Sequence, residues 1–391
     1  MSILARLGRI SAGVAFGLAV TASSVAAQET INIGFTGPLS GGAALYGKNA
    51  LAGMEMAVNE MNATGGIEVD GKKYKLNIVT LDDKYSPAEA AINGRRLVQE
   101  HKTPIIFVPH FGGSAALQAF NESMDFLVAA YTTVPAITQR GNTLTVRLTS
   151  SYTDYMKAFS HIAMERYGKR VAIANGNHDY AKAWAAAFTE HWQEKGGEIV
   201  ANNPMDYNKD ADFYSGVGRV LAAKPDVIMV GGPSEPTALV IRQAREMGFK
   251  GGFIVMEQAK LDEMEKVTNS LRTLEGAVGI MPLATYGTPE AAAYVERFRK
   301  LYKKDAGSEA YVNYFGVYLM AEAMKHAGTV SDPKAIRAAI GKALETLPKE
   351  YNIYSMNTVD AGGGLEPEGV TVGAVVNGKV ERARYLRESG K

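Results

Sequence analysis

The segment Gly42-Ala43-Ala44-Leu45-Tyr46-Gly47-Lys48-Asn49 fits GxxxxGK, the spacing of a loop that cradles phosphates. Such a loop needs Ser or Thr after the lysine, because that hydroxyl binds magnesium. Asn49 stands there instead, and the acidic strand end Val79-Thr80-Leu81-Asp82 only imitates the metal-holding partner. Gly112-Gly113-Ser114-Ala115-Ala116 resembles a nucleophile elbow but lacks the closing glycine of G-x-S-x-G. The histidines, His101, His110, His161, His178, His191 and His326, form no HExxH and no close pair. His161 and Glu165 share a helical face at i, i+4, yet two ligands do not make a zinc site. With no cysteine, thiol nucleophiles, iron–sulfur clusters and Cys-type zinc sites are excluded together. Asp82-Asp83 reads as a cap on a strand and its loop. These residues give no catalytic constellation, so the chain is expected not to be an enzyme and to need no cofactor or metal.

What remains is a set of loops that follow strands, the edge where open α/β sheets hold ligands. Gly37-Pro38-Leu39-Ser40-Gly41-Gly42 precedes one helix and Gly112-Gly113-Ser114 another. Helix N-termini carry free N–H groups and the positive dipole end, so both are candidate carboxylate seats, to which Ser114 would add its hydroxyl. The plainer role for Ser114 is helix N-capping. Tyr131-Thr132-Thr133 ends a further strand, and Tyr180 and Glu257 follow strands in the later half.

The elements that must position these residues alternate along the chain. Apolar runs at Ile31–Phe35, Lys75–Leu81, Ile105–Val108, Phe126–Tyr131, Val171–Ala174, Val227–Val230 and Phe253–Met256 read as strands. Most are continuously apolar, as expected of strands covered on both faces. Leu51, Met54, Val58 and Met61 mark one helical face, stopped by Asn62-Ala63-Thr64-Gly65-Gly66; Phe213, Val217, Val220 and Leu221 mark another. This βαβ rhythm predicts an α/β fold with parallel sheets. It is interrupted at Arg140–Ser151, Gly279–Tyr286 and Tyr351–Gly369. Three interruptions suggest two lobes, each discontinuous in sequence: 28–148 with 282–350, and 149–281 with 351–391.

Length and charge fit that division. The 391 residues allow two or three domains, and 42 basic against 41 acidic side chains leave no footprint for nucleic acid. Residues 1–27 read as a signal peptide: Arg6 and Arg9, an apolar stretch from Ile10 to Val20, and Val25-Ala26-Ala27 before Gln28. The apolar stretch is about half of what a bilayer crossing needs, and no other run of about 18 apolar residues appears. An exported, periplasmic product with no membrane insertion of the mature chain is expected.

Several strings stand in a specific order and spacing along the chain. The first are Ile33-Gly34-Phe35-Thr36-Gly37-Pro38-Leu39-Ser40-Gly41 with Tyr46-Gly47, and Asn59-Glu60-Met61-Asn62-Ala63-Thr64-Gly65-Gly66-Ile67. Further along come Pro135-Ala136-Ile137-Thr138-Gln139-Arg140-Gly141, then Gly231-Gly232 and Ile241-Arg242-Gln243-Ala244-Arg245-Glu246-Met247-Gly248. With these motifs the chain resembles, over about Thr30 to Tyr385, the leucine/isoleucine/valine-binding family of periplasmic solute receptors that serve ABC transporters, with the type I Venus-flytrap fold. The resemblance implies an apolar-contact aromatic at Tyr46, a carboxylate-binding serine loop around Ser114, and a second carboxylate-binding hydroxyl at Thr133. It places the residue whose backbone helps hold the carboxylate at Tyr131, a ligand-facing tyrosine at Tyr180, and the acid that holds the ligand ammonium at Glu257. Three features depart from the family pattern. Tyr131 replaces a small residue, the common disulfide is absent, and Pro233-Ser234 replaces an aromatic pair.

The resemblance implies two doubly wound parallel-sheet lobes joined by three hinge crossings, closing on a small solute. The expected ligand is a hydrophobic or branched-chain amino acid, its side chain against Tyr46, Phe111 and Tyr131. Glu257 carries that expectation, because a carboxylate in a closed cleft needs a cation; the plainer alternative pairs it with Lys260. The expected partners are an ABC permease and its ATPase subunits, with the protein itself a monomer. Aromatic carboxylates or short amides are the alternative ligands. A sensory receptor and an unusual hydrolase are the alternative classes.

Overall fold

A computed structural model describes residues 28–386. The signal peptide expected at 1–27 lies outside the described residues. Strands β1 (Glu29–Gly37), β2 (Ile67–Val69), β3 (Lys72–Asp82), β4 (Ile105–Val108), β5 (Leu127–Ala130) and β6 (Thr145–Arg147) form one sheet in the order β2-β3-β1-β4-β5-β6. Apart from the antiparallel β2–β3 pair, its neighbours run parallel. A second sheet contains β7 (Arg170–Ile173), β8 (Glu198–Asn202), β9 (Val227–Val230), β10 (Gly252–Val255) and β11 (Ala277–Ile280). After a small hairpin, β12 (Met356–Val359) with β13 (Leu365–Pro367), the chain adds β14 (Gly369–Val376) and β15 (Lys379–Leu386) to that second sheet. Its order is β15-β14-β11-β10-β9-β7-β8, parallel except for the last two strands.

These are two α/β lobes, and each buries its strands between helices. In the first, Phe35, Phe107 and Val146 pack with Tyr294, Phe298, Phe315 and Met320 from helices late in the chain. The helix Ala44–Ala63 lies so close to Ser308–Ala327 that a Cβ on Gly53 would stand 1.8 Å from the Ala310 carbonyl oxygen. In the second, Ile228 and Val255 pack with Val217, Val220, Ile241 and Met264. A further apolar cluster runs from Leu97 and Phe120 of the first lobe to Trp184, Phe188 and Trp192 of the second.

The chain crosses between lobes three times: between β6 and the helix Tyr152–Arg166, between β11 and the helix Pro289–Tyr302, and between β13 and β14. The third crossing corrects the sequence-based boundary. Residues 351–367, expected in the second lobe, pack on the first, where Ile353, Met356 and Leu365 join the core of Phe35 and Phe315. Buried Arg147 at the end of β6 pairs with Glu366 and fastens the β12–β13 hairpin there. Gly362-Gly363-Gly364, inside the interruption at Tyr351–Gly369, belongs to the loop of that hairpin.

Candidate functional site

Glu257 lies two residues beyond β10 and is 5% exposed. Tyr180 donates its hydroxyl to Glu257 Oε2 at 2.6 Å, and Trp184 donates Nε1–H to the same oxygen at 2.9 Å. Both project from one face of the helix Asp179–Glu194, four residues apart. The Thr133 hydroxyl reaches the same place from the first lobe, 3.5 Å from Glu257 Oε2 and 3.4 Å from the Tyr180 hydroxyl. Burial pushes the Glu257 carboxyl up to about 7, outweighing the hydrogen bonds from Tyr180 and Trp184 that favour its charged form.

Around this cluster lies a cavity walled by both lobes. Tyr46, Phe111, Tyr131, Thr133, Tyr180 and Glu257 all line it. Tyr46 and Tyr131 stack with ring centroids 5.9 Å apart and form an aromatic wall. A second space shares Tyr131, Thr133 and Glu257 and extends toward the crossings at Met281 and Gly369.

Ser114 is not brought to this cavity. It sits in the second turn of the helix Phe111–Gln118, fully buried, and its hydroxyl donates to the His110 carbonyl at 2.9 Å. The helix begins earlier than the serine suggested, so neither the expected carboxylate contact nor the N-cap falls to Ser114. His110 is the cap: its Nδ1 accepts the Gly113 N–H at 3.0 Å, which leaves Nε2–H to donate to Asp83 at 2.9 Å. The backbone of Phe111 and Gly112 therefore forms the helix start at the cavity wall, with the positive end of the dipole.

Lys260, the alternative partner for Glu257, is committed elsewhere. Its ammonium lies 3.3 Å from Glu309 and 5.2 Å from the Tyr46 ring centroid, and it donates to the Gln258 carbonyl at 2.5 Å. Burial alone would lower its pKa, but Glu309, Tyr131 and Glu263 together outweigh burial, raise it and hold the ammonium protonated. Asn49, the residue that breaks the phosphate-loop pattern, bridges the lobes: its amide donates to Glu309 at 2.8 Å and Glu263 at 2.9 Å. Asp82 holds the first loop by accepting from Leu39 N–H and the Ser40 hydroxyl. His161 and Glu165 form an exposed pair on the surface.

Sequence reasoning missed Tyr85, His110, Trp184 and Gln258. Trp184 was legible from its i+4 spacing to Tyr180. Tyr85 was concealed because its placement depends on a turn in which Lys84 and Tyr85 both have positive φ, held by Asp82 and Asp83 accepting their N–H groups. Among the described residues there is no group of three or more His, Cys, Asp or Glu that could hold a metal, and no helix is long and apolar enough to cross a membrane.

Two doubly wound lobes with a cavity between them, lined from both sides, define a two-lobed solute-binding protein. The chain belongs to the periplasmic binding protein family, which it matches over residues 30–367. It is similar to an amino acid binding protein of Pseudomonas aeruginosa, 27% identical over 332 residues covering 81% of this chain and 86% of that one. It is also similar to the leucine-, isoleucine-, valine-, threonine-, and alanine-binding protein of the same organism, 24% identical over 87% of this chain and 90% of that one. Among solved structures, the isoleucine complex of the branched-chain amino acid transporter substrate binding protein LivJ from Streptococcus pneumoniae superposes with a TM-score of 0.75 at 25% identity, covering 92% of this chain and 99% of that one. The leucine binding protein LivK from Thermotoga maritima gives 0.76 at 21% identity, covering 91% and 99%. The fold is the type I periplasmic binding protein fold, and the family consists of solute-binding proteins rather than enzymes.

Proposed function

We propose that this protein captures an α-amino acid with a small uncharged, hydrophobic or branched side chain between its lobes and delivers it to an ABC importer. One observation carries the reading. Glu257 is a buried carboxylate that accepts hydrogen bonds from Tyr180 and Trp184, while the neighbouring Lys260 is paired with Glu309. No ion pair to Glu257 is made among the described residues. A carboxylate so placed is costly to ionise without a cation, and a ligand ammonium supplies one. The ligand carboxylate would sit at the start of the helix Phe111–Gln118, where N–H groups and the dipole favour an anion, with the Thr133 hydroxyl beside it. Tyr46, Phe111 and Tyr131 would receive the side chain. The names of the similar proteins, which bind leucine, isoleucine, valine or threonine, support this class of ligand.

Because Thr133 comes from one lobe and Tyr180 and Glu257 from the other, ligand capture would favour the closed form that a membrane permease recognises. We place the protein in the periplasm as a monomer, with the permease and its ATPase subunits as partners. Its lobes would be residues 28–148 with 282–367, and 149–281 with the strands from 369 onward.

Calorimetry on ligand-stripped protein tests the reading. Leucine, isoleucine, valine and threonine are titrated beside benzoate and acetamide, which lack the amine. Binding of at least one amino acid, with no heat from benzoate or acetamide, is expected. Binding of benzoate or acetamide alone would overturn the amino-acid assignment.

A further inference from the structure

One polar group on the cavity wall is left without a partner. Gln258, 6% exposed, lines the cavity beside Glu257. Its Nε2–H donates to the Tyr85 hydroxyl at 2.6 Å, across the cleft from second lobe to first. Its Oε1 is buried and has no hydrogen-bond partner among the described residues. Tyr85 is itself fixed, its ring lying against His110 at 4.8 Å and against His178 of the opposite lobe at 5.2 Å. A hydroxyl that accepts from Gln258 still has its own proton to give. Two residues of the cavity lining thus keep unused capacity: an acceptor at Gln258 Oε1 and a donor at the Tyr85 hydroxyl.

We infer that the bound amino acid carries a hydroxyl or carboxamide on its side chain, hydrogen-bonded to Gln258 and Tyr85. This rests on the amino-acid reading above and narrows it. A purely aliphatic side chain would seal an unpaired amide oxygen into the closed cleft, and an unmade buried hydrogen bond costs more than a made one contributes. The inference survives rotation of the Gln258 amide by half a turn. Tyr85 would then donate to Oε1, and Nε2–H would be the group left without a partner. A hydroxyl or carboxamide both donates and accepts, so it satisfies either arrangement. The aromatic wall of Tyr46 and Tyr131 is compatible with such a ligand, since threonine keeps the branched shape of valine and asparagine that of leucine.

Those two matched pairs are the test. Calorimetry compares threonine with valine and asparagine with leucine on the wild-type protein, on Gln258→Leu and on Tyr85→Phe. In at least one pair the polar member should bind the wild type about tenfold or more tightly than its aliphatic counterpart. Gln258→Leu should abolish or reverse that preference. Tyr85→Phe, which removes only one oxygen, should shrink it and guards against a Leu variant that fails to fold. Equal or tighter binding of valine and leucine by the wild type would overturn this inference and leave the amino-acid reading intact. Absence of binding by all four would overturn both.

Discussion

Glu257→Gln should move stability and affinity in opposite directions. The carboxyl is raised from an ordinary value of 4.5 to about 7 by burial. A carboxyl raised on folding holds its proton more tightly in the folded chain than in the unfolded one. The folded state therefore loses stability as pH rises from about 4.5 to about 7, and the full penalty is present above that window. That rise corresponds to about 3 kcal/mol. Glutamine keeps an amide oxygen for Tyr180 and Trp184 and carries no charge, so it resembles the protonated acid at every pH. Denaturant unfolding of the ligand-stripped proteins should give near-equal stabilities at pH 4.5 and a variant more stable by about 2–3 kcal/mol at pH 8. The same variant should lose amino-acid binding by about a hundredfold, because a ligand ammonium no longer meets a charge in the closed cleft. A variant less stable than wild type at pH 8 would show that Glu257 is already compensated within the protein. Affinity within twofold of wild type would show that no ammonium sits there.

Proton release follows from the same carboxyl. At pH 6 about nine-tenths of a proton should leave Glu257 when an amino acid binds, and almost none at pH 9; calorimetry in buffers of different ionisation enthalpy reads this directly. Affinity should accordingly be roughly a hundredfold weaker at pH 5 than at pH 8. Lys260→Met should destabilise the closed form, because Glu309 would then be buried beside Glu263 without its cation. Ligand affinity should fall by about tenfold or more, and solution scattering should show a larger radius of gyration at a fixed sub-saturating ligand concentration. Wild-type scattering and affinity in this variant would mean that the Lys260–Glu309 pair does not hold the lobes together.

Local pattern and tertiary context account for what the sequence revealed and what it did not. Continuously apolar runs such as Ile105–Val108 and Val227–Val230 read as strands covered on both faces, and they lie in the interiors of the two sheets. The antiparallel edges escaped notice although their turns were visible: Asp70-Gly71 joins β2 to β3 and Asn377-Gly378 joins β14 to β15, each with positive φ at both residues. Those dipeptides are strong hairpin signals. They were masked by the amphipathic parallel rhythm around them, and with them went the membership of residues 351–367.

The site divides along the same line. Tyr131, Thr133 and Glu257 each follow a strand end, so an alternation of elements was enough to bring them to one cleft. Ser114 was misplaced because a helix start cannot be read to better than a few residues when a histidine can cap as well as a serine. Tyr85 and Gln258 were beyond reach for a different reason. Neither follows a pattern within its own segment; they meet across two lobes, 173 residues apart in sequence. Contacts between lobes leave no local periodicity. Under the function proposed above, such contacts would contribute to the difference between open and closed states, and so to the choice of ligand. Under that proposal, the residues least legible in the chain would be the ones on which its specificity most depends.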